Sequence, residues 1–173
     1  MQRLIVDMDD VLADATGRLI DLYEKEFGVR VTRESMNHKE DRERFPDNEA
    51  ALRFVFQKGF FRTMNVNEYA QEVMKELNKK YEVFVVSSAM EFPNSLSEKL
   101  EWLNEHFPFL HWKQFVFCGR KSVVHGDYMI DDLPHNLETF NGEKLLYTAP
   151  HNMQFNHFKR VNGWKEVSEV LLG

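Results

Sequence analysis

Short apolar runs alternate with amphipathic stretches along most of the chain. Five runs are almost wholly apolar and predict strands: Leu4 to Val6, Val83 to Val86, Phe115 to Phe117, Tyr128 to Ile130, and Leu145 to Tyr147. The later runs are separated by segments with helical periodicity. Strands without a polar face that alternate with helices are typical of a parallel sheet covered on both sides. We therefore expect a doubly wound, three-layer α/β/α fold.

The clearest helical pattern is "PNSLSEKLEWLNEHF", between the second and third predicted strands. Leu96, Leu100, Leu103 and Phe107 recur there at spacings of four, three and four. This periodicity predicts one helix whose leucine stripe faces the core.

The segment between the first and second strands is too long for a simple crossover. Its beginning predicts a helix, because Leu19, Tyr23 and Phe27 are spaced by four and Gly28 is a suitable helix end. The remainder combines a charged run, Lys39 to Arg44, with a second short helix and aromatic residues. The predicted organisation is a core of residues 1–14 and 67–173 with an inserted helical cap of residues 15–66.

Composition limits the compartment and the partners of the protein. The chain has 173 residues, 43% of them hydrophobic, which is enough for one compact domain with a substantial core. A single cysteine, no signal-like start and no long apolar run favour a cytoplasmic protein without a membrane segment. The formal charge of −6 argues against binding to nucleic acid polymers, although a small anion held by local positive groups or a metal is compatible with it.

Polar side chains follow four of the five predicted strands. They are Asp7 and Asp9 after the first, Ser87 and Ser88 after the second, Lys121 after the third, and Asp131 and Asp132 after the fourth. The carboxyl ends of parallel strands meet at one edge of the sheet, so these side chains should lie together. Clustered aspartates repel one another unless a divalent cation lies among them, and hard oxygen ligands suit Mg²⁺. We predict a magnesium site there, with Lys121 as a second positive partner.

The spacing of Asp7 and Asp9 indicates a reaction type. Residues two apart on an extended strand point to the same side, about 6 to 7 Å apart, so both carboxylates can flank one reacting group. One aspartate can attack a phosphoryl group while the other transfers protons. Mg²⁺ and Lys121 would neutralise the phosphoryl oxygens.

The motifs that carry these residues resemble those of a known family. "DMDDVLAD", "VSSA", "RKSVVHGDYMIDD" and "YTAPHN" are similar to the signature motifs of the haloacid dehalogenase superfamily, most closely those of the 5'(3')-deoxyribonucleotidases. "GFFRTM" in the predicted cap extends the resemblance over most of the chain. The paired aspartates alone are a common motif, but their combination with the other three in this order is specific.

The resemblance implies a role for each residue. Asp7 would be the nucleophile and Asp9 the general acid/base, while Ser87 and Lys121 would bind phosphate, with the neighbouring Ser88 as a further candidate from its position. Asp131, Asp132 and the backbone carbonyl of Asp9 would join Asp7 at the metal, and Phe60 and Phe61 would line a nucleoside pocket. The implied activity is Mg²⁺-dependent hydrolysis of small deoxyribonucleoside monophosphates through a phosphoaspartate. The oligomeric state stays open, with a homodimer as one option.

Three positions depart from the family pattern. Asp10 replaces the usual Gly, Ala89 stands where related sequences can have Pro, and Leu133 stands where animal members have Arg. These departures bear on the nucleotide preference more than on the chemistry.

Simpler roles for individual residues and other functions are also open. The two serines can cap the next helix, with Ser87 the better phosphate ligand of the two, and the Phe60–Phe61 pair can simply pack the cap. The alternative functions are a phosphatase for another small metabolite and a catalytically silent phosphate-binding module. The intact nucleophile, acid/base, lysine and metal acids argue against the silent module.

Overall fold

The computed structural model describes residues 1–39 and 43–173. Its strands are β1 (Arg3–Val6), β2 (Glu82–Ser87), β3 (Phe115–Phe117), β4 (Tyr128–Asp131), β5 (Glu143–Tyr147) and β6 (Lys159–Val161). Its α-helices are α1 (Ala15–Phe27), α2 (Arg33–Met36), α3 (Asn48–Val55), α4 (Ala70–Lys80), α5 (Ser95–His106), α6 (Pro134–Glu138) and α7 (Trp164–Leu171).

The six strands form one parallel sheet in the order β3-β2-β1-β4-β5-β6. Leu4 and Val6 belong to one apolar cluster, whereas Ile5 belongs to a second. Since successive side chains of a strand point to opposite faces, both faces of the sheet are buried. The doubly wound α/β fold predicted from the sequence is confirmed.

Each of the five predicted strands is present, but β6 was not predicted. Its sequence, Lys-Arg-Val, contains two charged residues, and only Val161 is buried. A short, charged strand is typical of a sheet edge, where charged side chains discourage pairing with other chains. The apolar-run criterion therefore misses this strand.

The predicted helix after β1 is confirmed as α1. It ends at Gly28, which has φ 67° and whose N–H donates to the carbonyl of Glu24 at 2.8 Å. This left-handed conformation costs glycine little because it has no Cβ.

The predicted helix before β3 is confirmed as α5, but its predicted orientation is partly wrong. Leu103 is buried, whereas Leu100 is 39% exposed. Glu98 and Lys99 are buried instead, because the helix turns these charged side chains toward the segment after Phe56 and toward the end of β1.

The segment that carries α1, α2 and α3 begins and ends at neighbouring points of the backbone. Ala13 and Val66 form an antiparallel bridge, and the Asp14 N–H donates to the Asn65 carbonyl at 2.8 Å. This closure supports an insertion, and the cap of residues 15–66 stays a prediction. Part of the charged run from Lys39 to Arg44 lies outside the described residues. Across residues 1–39 and 43–173, we find no helix with the length and apolarity that a membrane crossing requires.

Candidate active site

The polar residues predicted to converge do meet at the carboxyl edge of the sheet. Asp7 follows β1, and its N–H donates to the Ile130 carbonyl at 2.9 Å, which continues the pairing with β4. Lys121 lies in a short 3₁₀ turn after β3. Its ammonium donates to Asp7 Oδ1 and, at 2.7 Å, to Asp131 Oδ2. Lys121 thus joins the ends of β1 and β4.

Negative charge exceeds positive charge around this lysine. Asp7, Asp131 and Asp132 bring carboxylate oxygens within 4.8 Å of one another, and all three residues are buried. Burial raises the pKa of Asp7 well above its ordinary value; the Lys121 charge opposes this, and the neighbouring carboxylates add to it. Burial also raises the pKa of Asp132, helped by the charge of Asp131. Three carboxylates around one ammonium suit a divalent cation with oxygen ligands.

The two adjacent aspartates have different surroundings. Asp131 is saturated with hydrogen bonds: it accepts from Lys121, from Asn136 Nδ2 at 3.1 and 3.2 Å, and from the Leu133 N–H at 2.9 Å. Asp132 Oδ2 lies 2.8 Å from His151 Nε2. Within the described part of the chain, the buried Oδ1 of Asp132 has no hydrogen-bonding partner. Asp132 therefore has an oxygen free for a cation, whereas Asp131 does not.

Asp9 lies beside a charged residue that sequence reasoning missed. Lys99, on α5, donates to Asp9 Oδ2 and, at 2.8 Å, to Ser87 Oγ. One signal for it exists in the sequence, since Lys99 precedes the buried Trp102 and Leu103 by three and four residues and so shares their helical face. Lysines at such positions usually extend their ammonium to solvent, so this signal alone does not predict burial.

Asp10, one of the departures from the family pattern, occupies a position that favours glycine. Its φ is 57°, a conformation that aspartate tolerates better than most residues with a Cβ. The carboxylate accepts from the Thr16 N–H and hydroxyl, both at 2.7 Å. Burial raises the pKa of Asp10, and the Thr16 bonds and the charge of His151 oppose the rise. These bonds explain how a charged side chain is accommodated beside the nucleophile loop.

The loop after β1 is also held by distant parts of the chain. The Val11 carbonyl accepts from Trp164 Nε1 at 2.9 Å and from Asn67 Nδ2 at 2.8 Å. The Asn67 N–H donates to the Leu12 carbonyl at 2.8 Å. Trp164, the first residue of α7, and Asn67 thus hold the loop that follows Asp7 and Asp9.

Phe60 and Phe61, in the predicted cap, lie near Lys99 and are buried. Phe60 and Phe61 are 3% and 2% exposed, and their rings meet edge to face at 5.0 Å. The Lys99 ammonium lies 4.7 Å from the centre of the Phe61 ring. Glu98 accepts hydrogen bonds from three backbone N–H groups of this loop, at residues 59, 61 and 62. Such burial favours the packing role for the pair, and the pocket role stays a prediction.

An open cavity of about 360 Å³ lies beside the lysine after β3. Ser88, Lys121, Leu133 and Asn136 contribute to its lining. Ser88 is half-buried and caps no helix with its side chain, while Ser87 is buried beside Lys99. Two of its lining residues, Lys121 and Asn136, contact Asp131, so the cavity lies next to the carboxylate cluster.

Solved structures with the same architecture define the fold class. A haloacid dehalogenase-like hydrolase from Streptococcus pneumoniae superposes with a TM-score of 0.60 at 11% identity and covers 98% of both chains. A Bacillus subtilis hydrolase of the same superfamily, solved with bound magnesium, also has a TM-score of 0.60 at 11% identity over 99% of both chains. The fold is therefore that of the haloacid dehalogenase superfamily.

Sequence comparison narrows the class to one family. The model of the family described as "5' nucleotidase, deoxy (Pyrimidine), cytosolic type C protein" matches residues 1–173. A Staphylococcus aureus protein with the provisional name 5'(3')-deoxyribonucleotidase is 42% identical over 170 residues, which is 98% of this chain and 94% of that protein. The 5'(3')-deoxyribonucleotidase of Bacillus subtilis is 53% identical over 112 residues, 65% of each chain. The chain belongs to the 5'(3')-deoxyribonucleotidase family, and it is a phosphoric monoester hydrolase.

Proposed function

We propose that the protein hydrolyses deoxyribonucleoside 5'- and 3'-monophosphates to the nucleoside and inorganic phosphate, with Mg²⁺ as its cofactor. The observation that carries the proposal is the group of three buried carboxylates around the Lys121 ammonium. Family membership supports the substrate class, since relatives bear the name 5'(3')-deoxyribonucleotidase. A cytoplasmic location is part of the proposal because the family description specifies a cytosolic type.

The metal ligands in this proposal are carboxylates of Asp7 and Asp132 with the backbone carbonyl of Asp9. Asp132 is preferred to Asp131 because its Oδ1 has no other partner within the described residues, whereas both oxygens of Asp131 accept hydrogen bonds. Bound Mg²⁺ would offset the negative charge of the phosphoryl group during transfer. His151, at 2.8 Å from Asp132 Oδ2, would orient that ligand.

The cycle has two steps that share one phosphoryl group. A carboxylate oxygen of Asp7 attacks phosphorus, the phosphorus–oxygen bond to the nucleoside breaks, and Asp9 gives its proton to the departing oxygen. Water then attacks the phosphoaspartate and gives a proton to Asp9, the bond to Asp7 breaks, and inorganic phosphate leaves. Lys121 balances charge on the phosphoryl oxygens, as its ammonium already contacts Asp7 Oδ1.

The two serines would hold the phosphate in this scheme. Because Ser87 Oγ accepts a hydrogen bond from Lys99, its own hydroxyl hydrogen is free to donate to a phosphate oxygen. Ser88 lines the cavity beside Lys121 and is placed to do the same.

Selection of the nucleoside is assigned to the cap of residues 15–66, with Phe60 and Phe61 as the aromatic candidates. Leu133 lines the cavity where animal relatives have arginine, so one cationic contact to the substrate is missing. The alternative is a phosphatase for another small phosphorylated metabolite. Membership of a family of phosphoric monoester hydrolases argues against the other alternative, a catalytically silent phosphate-binding module.

Phosphate release from a panel of deoxyribonucleotides, ribonucleotides and sugar phosphates tests the proposal. Turnover of deoxyribonucleoside monophosphates that requires Mg²⁺ and disappears in Asp7→Asn, with unchanged circular dichroism, is the expected result. Turnover of sugar phosphates alone would retain the mechanism and reject the substrate. A folded, Mg²⁺-binding protein with no turnover would favour the silent module. In the same assay, Asp132→Asn should raise the Mg²⁺ concentration needed for half-maximal turnover far more than Asp131→Asn does.

A further inference from the structure

Lys99 is a buried charge whose interactions lie within the proposed site. Its side chain is 2% exposed, and its ammonium has three neighbours: Asp9 Oδ2, Ser87 Oγ at 2.8 Å, and the Phe61 ring at 4.7 Å. An ammonium has three N–H donors, so a carboxylate, a hydroxyl and an aromatic face satisfy it. The orientation of Lys99 is therefore determined on every side.

Stability alone gives little reason to bury a lysine here. Ion pairs in protein interiors often contribute no more than well-packed apolar residues of similar size, since desolvation offsets the attraction. A leucine or methionine at position 99 would continue the apolar face formed by Trp102 and Leu103. The charge at this position points to a role in the chemistry.

The two oxygens of Asp9 have different surroundings. Oδ2 accepts the hydrogen bond from Lys99. Oδ1 is buried, and no described residue forms a hydrogen bond with it. A carboxylate oxygen that accepts from an ammonium does not carry the proton, so a proton on Asp9 resides on Oδ1.

We propose that Lys99 is a positioning residue for the acid/base Asp9, an inference that rests on the proposed phosphatase function. Lys99 holds Oδ2, and Oδ1 therefore gives the proton to the leaving nucleoside oxygen and later receives one from water. The same ammonium orients the Ser87 hydroxyl, so the phosphate ligand and the proton donor keep a fixed relation. Phe61 packs against the Lys99 ammonium and shields this side of the lysine from solvent, while Asp9 stays 34% exposed toward the site.

The test compares two substrates whose leaving groups differ in their need for protonation by Asp9. A deoxyribonucleoside monophosphate has a poor leaving group that must be protonated, whereas 4-nitrophenyl phosphate has a good one. In Lys99→Met, kcat for the nucleotide should fall by about 10²-fold or more, while KM changes by less than about threefold. With 4-nitrophenyl phosphate the variant should release about one equivalent of nitrophenolate in a burst and then turn over slowly, because only the later hydrolysis still needs Asp9.

Three further variants separate positioning from packing. Lys99→Arg should recover at least a tenth of wild-type kcat, and the double variant with Asp9→Asn should be no slower than Asp9→Asn alone. Lys80→Met is the matched control: Lys80 also lies over an aromatic ring, that of Tyr81 at 5.6 Å, and donates to a backbone carbonyl away from the site. This control should leave both rates unchanged. Lys99→Gln replaces Lys99→Met if the latter does not fold.

Each outcome decides between the two levels of inference. If the wild type is active, either of two results would overturn the role of Lys99 alone. One is a kcat of Lys99→Met within threefold of wild type, and the other is a loss of kcat that adds to that of Asp9→Asn. A loss confined to KM would do the same. A wild type that hydrolyses neither substrate with Mg²⁺ present would overturn the proposed function and this inference with it.

Discussion

Replacing Glu98 by alanine removes the anchor that holds the loop of Phe60 and Phe61 on α5. The carboxylate is 8% exposed and accepts from the N–H groups of Gly59 at 2.6 Å, Phe61 at 3.1 Å and Arg62 at 3.3 Å. Of these three bonds, only the one to Phe61 is fully buried, and the other two N–H groups can bind water after the substitution.

The expected loss follows from these environments. A hydrogen bond to a charged acceptor contributes about 1.5–3 kcal/mol, and a buried N–H left without a partner costs about 1–3 kcal/mol. With one buried N–H affected and two that can bind water, the free energy of unfolding should fall by about 2–3 kcal/mol. For a chain of this size that corresponds to a Tm lower by about 5–10 °C.

Urea unfolding followed by circular dichroism measures this change. Glu98→Gln keeps one acceptor oxygen and should lose about half as much. Glu101→Ala is the matched control on the same helix, because Glu101 is 64% exposed and lies 3.4 Å from Arg62 Nε, and its loss should stay below about 0.5 kcal/mol. A Glu98→Ala midpoint equal to that of Glu101→Ala would refute the anchoring role.

Three other predictions concern the metal, the last loop and the cap. With chelator present, the free energy of unfolding should fall as pH rises above about 4, because the raised pKa values of Asp7 and Asp132 let the folded protein keep protons that the unfolded chain has already released. Mg²⁺ should therefore raise Tm more at pH 8 than at pH 5, and an equal shift at the two pH values would contradict this. Asn152→Ala should cost about 2–4 kcal/mol in urea unfolding, since this fully buried side chain donates to the carbonyls of Tyr147 and Asp132 at 2.7 and 2.8 Å; a loss under 1 kcal/mol would argue against it. If Phe60 and Phe61 contact the nucleoside, alanine at either should raise KM for nucleotides far more than for 4-nitrophenyl phosphate, and equal effects would indicate packing alone.

The sequence was sufficient to predict the carboxyl edge of the sheet. Asp7, Ser87 and Asp131 come directly after or at the end of apolar strands, and in a parallel sheet that position alone determines where they meet. The parallel arrangement of the strands was predicted because the strands lack a polar face. Both inferences depend on local pattern and on a general rule of topology, so no knowledge of packing was needed.

Residues that act through tertiary contacts were not predicted. Glu98 and Lys99 stand in an amphipathic helix where charged residues normally face solvent, and only the packing of the cap loop and of Asp9 against α5 buries them. The leucine stripe was misjudged for the same reason, since Leu100 is exposed on the side that these charges would otherwise occupy. Likewise, the contact of His151 with Asp132 joins segments 19 positions apart and has no periodic signal.

The hydrogen bond from Trp164 to Val11 affects when, during synthesis and folding, the enzyme becomes active. It joins residues separated by 153 positions, so the loop beside Asp7 lacks this support until α7 has been synthesised and has docked. Such long-range closure is slow compared with helix formation. A nascent chain on the ribosome would contain every predicted catalytic residue before it had a rigid nucleophile loop, and we expect activity to appear only when the last helix is in place.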